Sequence, residues 1–120
     1  PYFTKIVQKS ELLEHVARAN VIVNILPSTP ETKNFMDEEF FSRVSRNCII
    51  IMAGRGNSYD MSVLKQKLQR NEIAKAVVDV FPTEPLSAED ELWCIPSMYF
   101  LYVYLRLWLA VWFWFYIIFN

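Results

Sequence analysis

Glycine, cysteine and histidine are scarce in this sequence of 120 residues, which contains two glycines, two cysteines and one histidine. The cysteines, Cys48 and Cys94, form neither a CxxC pair nor a disulfide framework, so a reducing, cytoplasmic setting is expected. A net charge of −1 does not favour a nucleic-acid-binding function. The sequence begins without a basic and apolar leader, so we expect no signal peptide and a start inside a longer protein.

Both glycines lie in one short stretch, IIIMAGRGNSYD at residues 49–60, on either side of Arg55. Glycine is needed where the backbone adopts a positive φ or where another group approaches the main chain closely. We therefore expect a tight turn that presents Arg55 to a ligand. The alternative is a solvated surface arginine in a turn that enters a helix.

The hydrophobic pattern predicts three helices that alternate with three short apolar strands. The helices are predicted in SELLEHVARAN, MDEEFFSRVS and MSVLKQKLQRNEI, with N-caps at Ser10, Asp37 and Asp60. The strands are predicted at residues 21–26, 48–52 and 74–80. Because the strands are apolar and separated by helices, the pattern predicts an α/β fold with a parallel sheet that is covered on both faces.

Polar loops follow the three predicted strands, at residues 27–32, 53–57 and 79–84. In open parallel sheets, ligands bind beyond the carboxyl ends of the strands. The sequence therefore predicts that one rim of the sheet collects all three loops.

Three motifs at these strand ends are VIVNILPSTPETKNFM, IIIMAGRGNSYD, and AVVDVFPTEPL followed by ELW. In order and separation they resemble the nucleotide-binding domain of the D-isomer-specific 2-hydroxyacid dehydrogenases, in particular glyoxylate and hydroxypyruvate reductases. The resemblance implies that residues 1–99 are part of an NAD(P)-binding domain, the C-terminal part of a Rossmann-like doubly wound parallel sheet. It also implies a full-length oxidoreductase, commonly a homodimer, that transfers a hydride between NAD or NADP and a 2-keto acid such as glyoxylate or hydroxypyruvate.

The resemblance implies roles for individual residues. Arg55 matches the arginine that binds the carboxylate of the substrate and polarises its carbonyl group. Glu84 matches the carboxylate that pairs with a catalytic histidine and raises the pKa of its imidazole. No metal site is implied. The positions that would bind the cofactor are Leu26, Pro27, Ala53, Gly54, Arg55 and Asp79.

Three of the charged or titratable residues also have simpler interpretations. Glu84 lies between two prolines, where it could be an ordinary loop charge. Asp79 falls inside the apolar strand predicted at residues 74–80, where a buried carboxylate would need a partner. His15 shares a helix face with charged residues, so we expect a solvated histidine and not a catalytic one.

The sequence departs from the family pattern in two places. No GxGxxG occurs, so the phosphate-binding fingerprint is absent. The family's Pro-His dipeptide is also absent, and Val103 or a neighbour occupies roughly its place. We therefore expect this chain alone to be inactive.

Residues 100–120 form an apolar, aromatic tail in which Arg106 is the only charge. An aberrant gene end is favoured over a membrane anchor, because the aromatic residues are spread throughout the tail and do not flank it as a belt. A buried helix ranks third. The second hypothesis for function is a noncatalytic relative, with or without attachment to a membrane, that keeps the scaffold for protein contacts. The missing histidine favours it only if the tail is genuine.

Overall fold

The computed structural model describes residues 5–100 of the chain. One sheet contains four parallel strands in the order β1-β2-β3-β4: β1 Val21–Asn24, β2 Ile49–Met52, β3 Lys75–Val78 and β4 Met98–Phe100. The helices are α1 Leu12–Val16, α2 Glu38–Arg43 and α3 Met61–Gln69. Short 3-10 turns occupy Lys9–Glu11, Gly56–Ser58 and Glu91–Cys94. The predicted α/β fold with a parallel sheet is confirmed, and β4 extends the sheet beyond the three strands that the pattern predicts.

The expectations for residues 101–120, including the membrane anchor and the place of Val103, lie outside the described residues. Phe100, the first residue of the tail as predicted, is part of β4. Between residues 5 and 100, no helix has both the length and the apolar composition needed to cross a bilayer.

The helices pack on one face of the sheet, so the prediction that both faces are covered is wrong for the described residues. Ile50 and Met52 point to the helices and are fully buried, whereas Val21, Val23 and Tyr99 on the opposite face are 51%, 54% and 49% exposed. The strands follow chain order across the sheet, and right-handed crossovers in one direction place every connecting helix on the same side. An apolar strand therefore does not guarantee two covered faces.

The core lies between the sheet and the helices. Phe40 and Phe41 of α2 contact each other edge to face, with ring centroids 5.7 Å apart, and Leu64 and Leu68 of α3 are buried beside them. Cys48 is also fully buried, and this burial raises the pKa of its thiol. This position disfavours the reactive thiolate form of Cys48.

Helix α1 is shorter than predicted, and Ser10 is not its N-cap. Ser10 lies inside the 3-10 turn Lys9–Glu11, which precedes α1. The backbone N–H of Gln8 donates to Glu11 Oε2 at 3.3 Å, and the N–H of Glu11 donates to the carbonyl of Gln8 at 3.0 Å. Gln8 therefore caps the start of the helical segment, two residues before the predicted cap at Ser10.

The other two predicted N-caps are confirmed. Asp37 Oδ1 accepts the backbone N–H of Phe40 at 3.0 Å. Asp60 Oδ1 accepts the N–H of Ser62 at 2.9 Å and that of Val63 at 3.2 Å, as well as the hydroxyl of Ser62 at 2.6 Å. The Ser62 hydroxyl, followed by the Val63 N–H, lowers the pKa of Asp60.

Replacing Asp60 with alanine is expected to lower the free energy of unfolding of the chain by about 1 kcal/mol at neutral pH. The folded pKa of Asp60 is depressed, so its contribution is present above the unfolded value of about 3.9 and is lost as pH falls through the folded value. Urea unfolding of the parent chain and of Asp60→Ala should therefore converge in acid. Gln66→Ala, an exposed change in the same helix, is the control, and an equal loss there would contradict the cap assignment.

Candidate active site

Three loops meet at the carboxyl edge of the sheet: the first loop at residues 25–37, the second at 53–60 and the third at 79–90. Asn57 Nδ2 donates to Ser28 Oγ at 2.7 Å, which joins the second loop to the first. The Asn57 carbonyl accepts the N–H of Asn34 at 2.9 Å. The hydroxyl of Tyr59 donates to the carbonyl of Val80 at 2.6 Å, which joins the second loop to the third. The predicted collection of polar loops at one rim is confirmed.

Both glycines permit close approach of backbone to backbone. Neither has a positive φ. A Cβ on Gly54 would lie 2.6 Å from the carbonyl oxygen of Leu26 in the first loop, and a Cβ on Gly56 would lie 1.9 Å from that of Phe81 in the third loop. Of the two reasons for glycine that the sequence offers, close approach is the one that applies. The glycines allow the second loop to fit between its neighbours.

Arg55 lies at the start of the 3-10 turn Gly56–Ser58, with an extended backbone of φ −134° and ψ 141°. Its carbonyl accepts the N–H of Ser58 at 3.1 Å and the Ser58 hydroxyl at 2.6 Å. Its side chain is exposed and forms no ion pair within residues 5–100, and Nη1 lies 3.5 Å from the carbonyl of Gly54. A guanidinium presented in this way can form two parallel hydrogen bonds with a carboxylate.

Two buried polar residues, Asn24 and Ser58, are linked to the backbone of Arg55, and neither is among the predicted site residues. Asn24 Nδ2 donates to Ser58 Oγ at 2.8 Å and contacts the sulfur of Met36 at 3.2 Å. Asn24 Oδ1 accepts the backbone N–H of Leu26 at 2.9 Å. The only sequence signal was one amide inside the apolar run VIVNIL, because a buried polar side chain requires partners.

The residues predicted to bind a cofactor lie along the same edge. Pro27 and Ala53 are exposed, while Leu26 and Gly54 are partly buried. Asp79 lies one residue beyond β3 and not within a strand, is partly buried, and makes no side-chain hydrogen bond inside the described range. The edge therefore offers small apolar groups beside a carboxylate acceptor.

Glu84 is exposed in the third loop, where its Oε1 accepts the backbone N–H of Phe81 at 2.8 Å. Burial, and then the charge of Glu84, raises the pKa of Tyr59 well above its usual value. Tyr59 is therefore a neutral donor at the rim.

His15 lies on α1, and its Nε2 is 3.3 Å from Lys5 Nζ. The side chain is partly buried, so it is less solvated than expected. The structure does not bring His15 to Glu84.

Aromatic side chains support the third loop from below. Phe81 stacks on Phe100 of β4 with centroids 5.8 Å apart, and Trp93 lies 4.4 Å from the same ring. The Trp93 indole N–H donates to the carbonyl of Ser87 at 2.7 Å. These contacts tie the loop that carries Glu84 to the end of the sheet.

A parallel sheet with a polar site in the loops beyond its carboxyl edge is the arrangement of the nucleotide-binding α/β proteins. The chain belongs to the D-isomer specific 2-hydroxyacid dehydrogenase family: the family model of its NAD binding domain matches residues 3–101. The family resemblance seen in the sequence is thereby confirmed. Members of this family are NAD(P)-dependent oxidoreductases.

The chain is 31% identical over 91 residues to glyoxylate/hydroxypyruvate reductase A of Serratia proteamaculans, covering 76% of this chain and 28% of that protein. It is 33% identical over 84 residues to D-3-phosphoglycerate dehydrogenase of Haemophilus influenzae, covering 70% and 20%. Among solved structures, a D-isomer specific 2-hydroxyacid dehydrogenase from Xanthobacter autotrophicus in complex with NADPH aligns with a TM-score of 0.73 at 32% identity, covering 77% and 30%. The chain therefore spans less than a third of the length of each of these relatives.

Proposed function

We propose that the full-length protein containing this chain reduces a 2-keto acid to the D-2-hydroxy acid with NADH or NADPH. The observation that carries the proposal is the way in which the structure presents Arg55. Its backbone is fixed between two neighbouring loops, while its guanidinium is exposed and makes no ion pair among residues 5–100. Buried contacts thus hold the backbone of Arg55 in place while its cationic side chain stays exposed. This arrangement suits a residue that binds a carboxylate.

In this proposal, Arg55 binds the carboxylate of the substrate and polarises its carbonyl oxygen as negative charge develops there. Glu84 stabilises the charged form of the group that donates a proton to that oxygen. The position of Glu84 supports this role, because it is exposed at the same rim and held by the Phe81 N–H.

The residues at the rim fit the nicotinamide part of the cofactor. Leu26, Pro27, Ala53 and Gly54 would contact its ring through apolar and backbone groups, and Asp79 would accept a hydrogen bond from its carboxamide. When bound, the cofactor supplies the hydride. The pyrophosphate would require the glycine fingerprint, which does not occur in this sequence.

Glyoxylate and hydroxypyruvate are the proposed substrates, as the name of the Serratia relative suggests. The Haemophilus relative makes D-3-phosphoglycerate the second candidate. The test is to assay the full-length protein with each keto acid and NADH or NADPH, and with D-3-phosphoglycerate and NAD. Turnover of glyoxylate or hydroxypyruvate supports the proposal, turnover of D-3-phosphoglycerate alone transfers it to the second substrate, and no turnover of any 2-keto or 2-hydroxy acid contradicts it.

The 120-residue chain made alone is expected to bind NAD(H) and NADP(H) poorly and to reduce neither keto acid. The reason is the absence of a GxGxxG sequence, which removes the helix N-terminus on which the pyrophosphate would lie. Calorimetry with each cofactor measures the binding. Micromolar affinity, or turnover above the blank, would contradict this expectation.

The proposal extends to a homodimer in the cytoplasm. The family resemblance supports the dimer, and the free cysteines Cys48 and Cys94 agree with a reducing compartment. Sedimentation of the full-length protein tests the dimer. If instead the tail at residues 100–120 carries the chain to membranes and no turnover is found, the noncatalytic scaffold becomes the better explanation, so flotation with lipid vesicles should accompany the assays.

A further inference from the structure

We infer that Asn24 and Ser58 form a buried positioning pair that fixes Arg55 in the orientation required by the substrate. Neither side chain reaches the surface: Asn24 is 5% exposed and Ser58 is fully buried. They are therefore positioning residues and not catalytic ones. The inference rests on the proposed function, because it assigns them to the site of Arg55.

The hydrogen bonds form a chain from β1 to the backbone of Arg55. Asn24 Nδ2 donates to Ser58 Oγ at 2.8 Å, and that hydroxyl donates in turn to the carbonyl of Arg55 at 2.6 Å. Ser58 has one hydroxyl hydrogen, so accepting from Asn24 commits this hydrogen to the carbonyl of Arg55. The amide of Asn24 thus determines the orientation of a hydroxyl that holds the peptide unit of Arg55.

The remaining polar groups of Asn24 are also used. Its Nδ2 is near the sulfurs of Met36 at 3.2 Å and Met52 at 3.6 Å, which are weak acceptors, and its Oδ1 accepts the N–H of Leu26 at 2.9 Å. One buried amide therefore fixes the first loop and the second loop together. Any displacement of this amide would move the backbone at Leu26 and at Arg55.

The hydroxyl of Ser58 bonds the backbone carbonyl of Arg55, a residue whose side chain is exposed at the rim. The backbone N–H of Ser58 already closes the turn on the same carbonyl at 3.1 Å. The second bond, from Oγ, adds an orientation constraint to a turn that is already closed. Displacements of about 1 Å at a substrate-binding group are large enough to lower catalytic rates severely.

The experiment is a double-mutant cycle of Ser58→Ala and Arg55→Lys on kcat/KM for glyoxylate and hydroxypyruvate, in the full-length protein. Ser58→Ala alone is expected to lower kcat/KM about 10-fold and to leave cofactor affinity within about twofold, because the contact between Asn24 and Leu26 remains. The fold-loss of kcat/KM caused by Arg55→Lys should be about tenfold smaller in the Ser58→Ala background than in the parent. The reason is that an arginine already displaced by Ser58→Ala contributes less to catalysis, so its replacement removes less. The control is Ser42→Ala, which removes another hydroxyl bond of 2.6 Å to a carbonyl, on the exposed side of α2.

The inference is supported if the effects of Ser58→Ala and Arg55→Lys on kcat/KM are coupled while Ser42→Ala leaves kcat/KM unchanged. If Arg55→Lys is costly but Ser58→Ala is neutral or simply multiplies with it, the positioning role is wrong while the proposed function stands. If Arg55→Lys itself changes nothing, the proposed role of Arg55 fails, and the inference with it. Should Ser58→Ala not fold, Ser58→Cys carries the same cycle, because a thiol fills the space but is a weak donor and acceptor.

Discussion

Replacing Arg55 with lysine in the full-length protein is expected to lower kcat/KM for the 2-keto acid by about 2–4 kcal/mol of transition-state stabilisation, or roughly 30-fold to 1,000-fold. Lysine keeps the positive charge but loses the planar fork that binds a carboxylate through two parallel hydrogen bonds. The exposed side chain of Arg55 makes no ion pair in the described part of the chain, so the substitution should hardly change the stability of the domain. Steady-state kinetics with glyoxylate and hydroxypyruvate measure the loss.

Arg43→Lys is the matched control, because Arg43 is an exposed arginine at the end of α2, away from the three loops. It should change kcat/KM by less than about twofold. The affinity for NADH or NADPH should be nearly unchanged in both variants. Arg55 is not the substrate arginine if Arg55→Lys weakens cofactor affinity and turnover equally. The same conclusion follows if Arg55→Lys changes neither cofactor affinity nor turnover.

Replacing Gly56 with alanine is expected to lower the free energy of unfolding by about 3 kcal/mol or more. The new Cβ would lie 1.9 Å from the carbonyl oxygen and 2.1 Å from the carbonyl carbon of Phe81, and 2.6 Å from the nitrogen of Pro82. All three atoms belong to the backbone, so no side-chain rotation relieves the contact. The third loop must move away from the second, and Glu84 would move with it.

Gly54→Ala provides a graded comparison for this experiment. Its closest contact would be 2.6 Å, again with backbone, so the cost should be smaller than at Gly56 although still clear. Thr83→Ala, an exposed change in the third loop, should be nearly neutral. Urea unfolding of the three variants gives the order, and a Gly56→Ala variant as stable as the parent would show that the loops are not held together through this position.

Local chemistry made part of the fold predictable. Asp37 and Asp60 were identifiable as N-caps because a cap bonds to backbone groups two or three residues away, a distance that the sequence specifies. The strands were identifiable as short apolar runs, but their ends were not. Residues 25 and 26 were predicted to continue β1, whereas the side chain of Asn24 accepts the N–H of Leu26 and turns the backbone out of the ladder.

The sequence by itself determined the parallel α/β class and predicted a tight turn at the two glycines. It also marked, through family motifs, the residues proposed for the site: Arg55, Glu84, Asp79 and the apolar cofactor positions. Only the tertiary structure decided that both glycines are needed for close approach, that the helices pack on one face, and that Asn24 and Ser58 are linked to the backbone of Arg55. These features join residues that are far apart along the chain, such as Asn24 and Ser58, and such pairings depend on strand order and register, which local pattern does not specify.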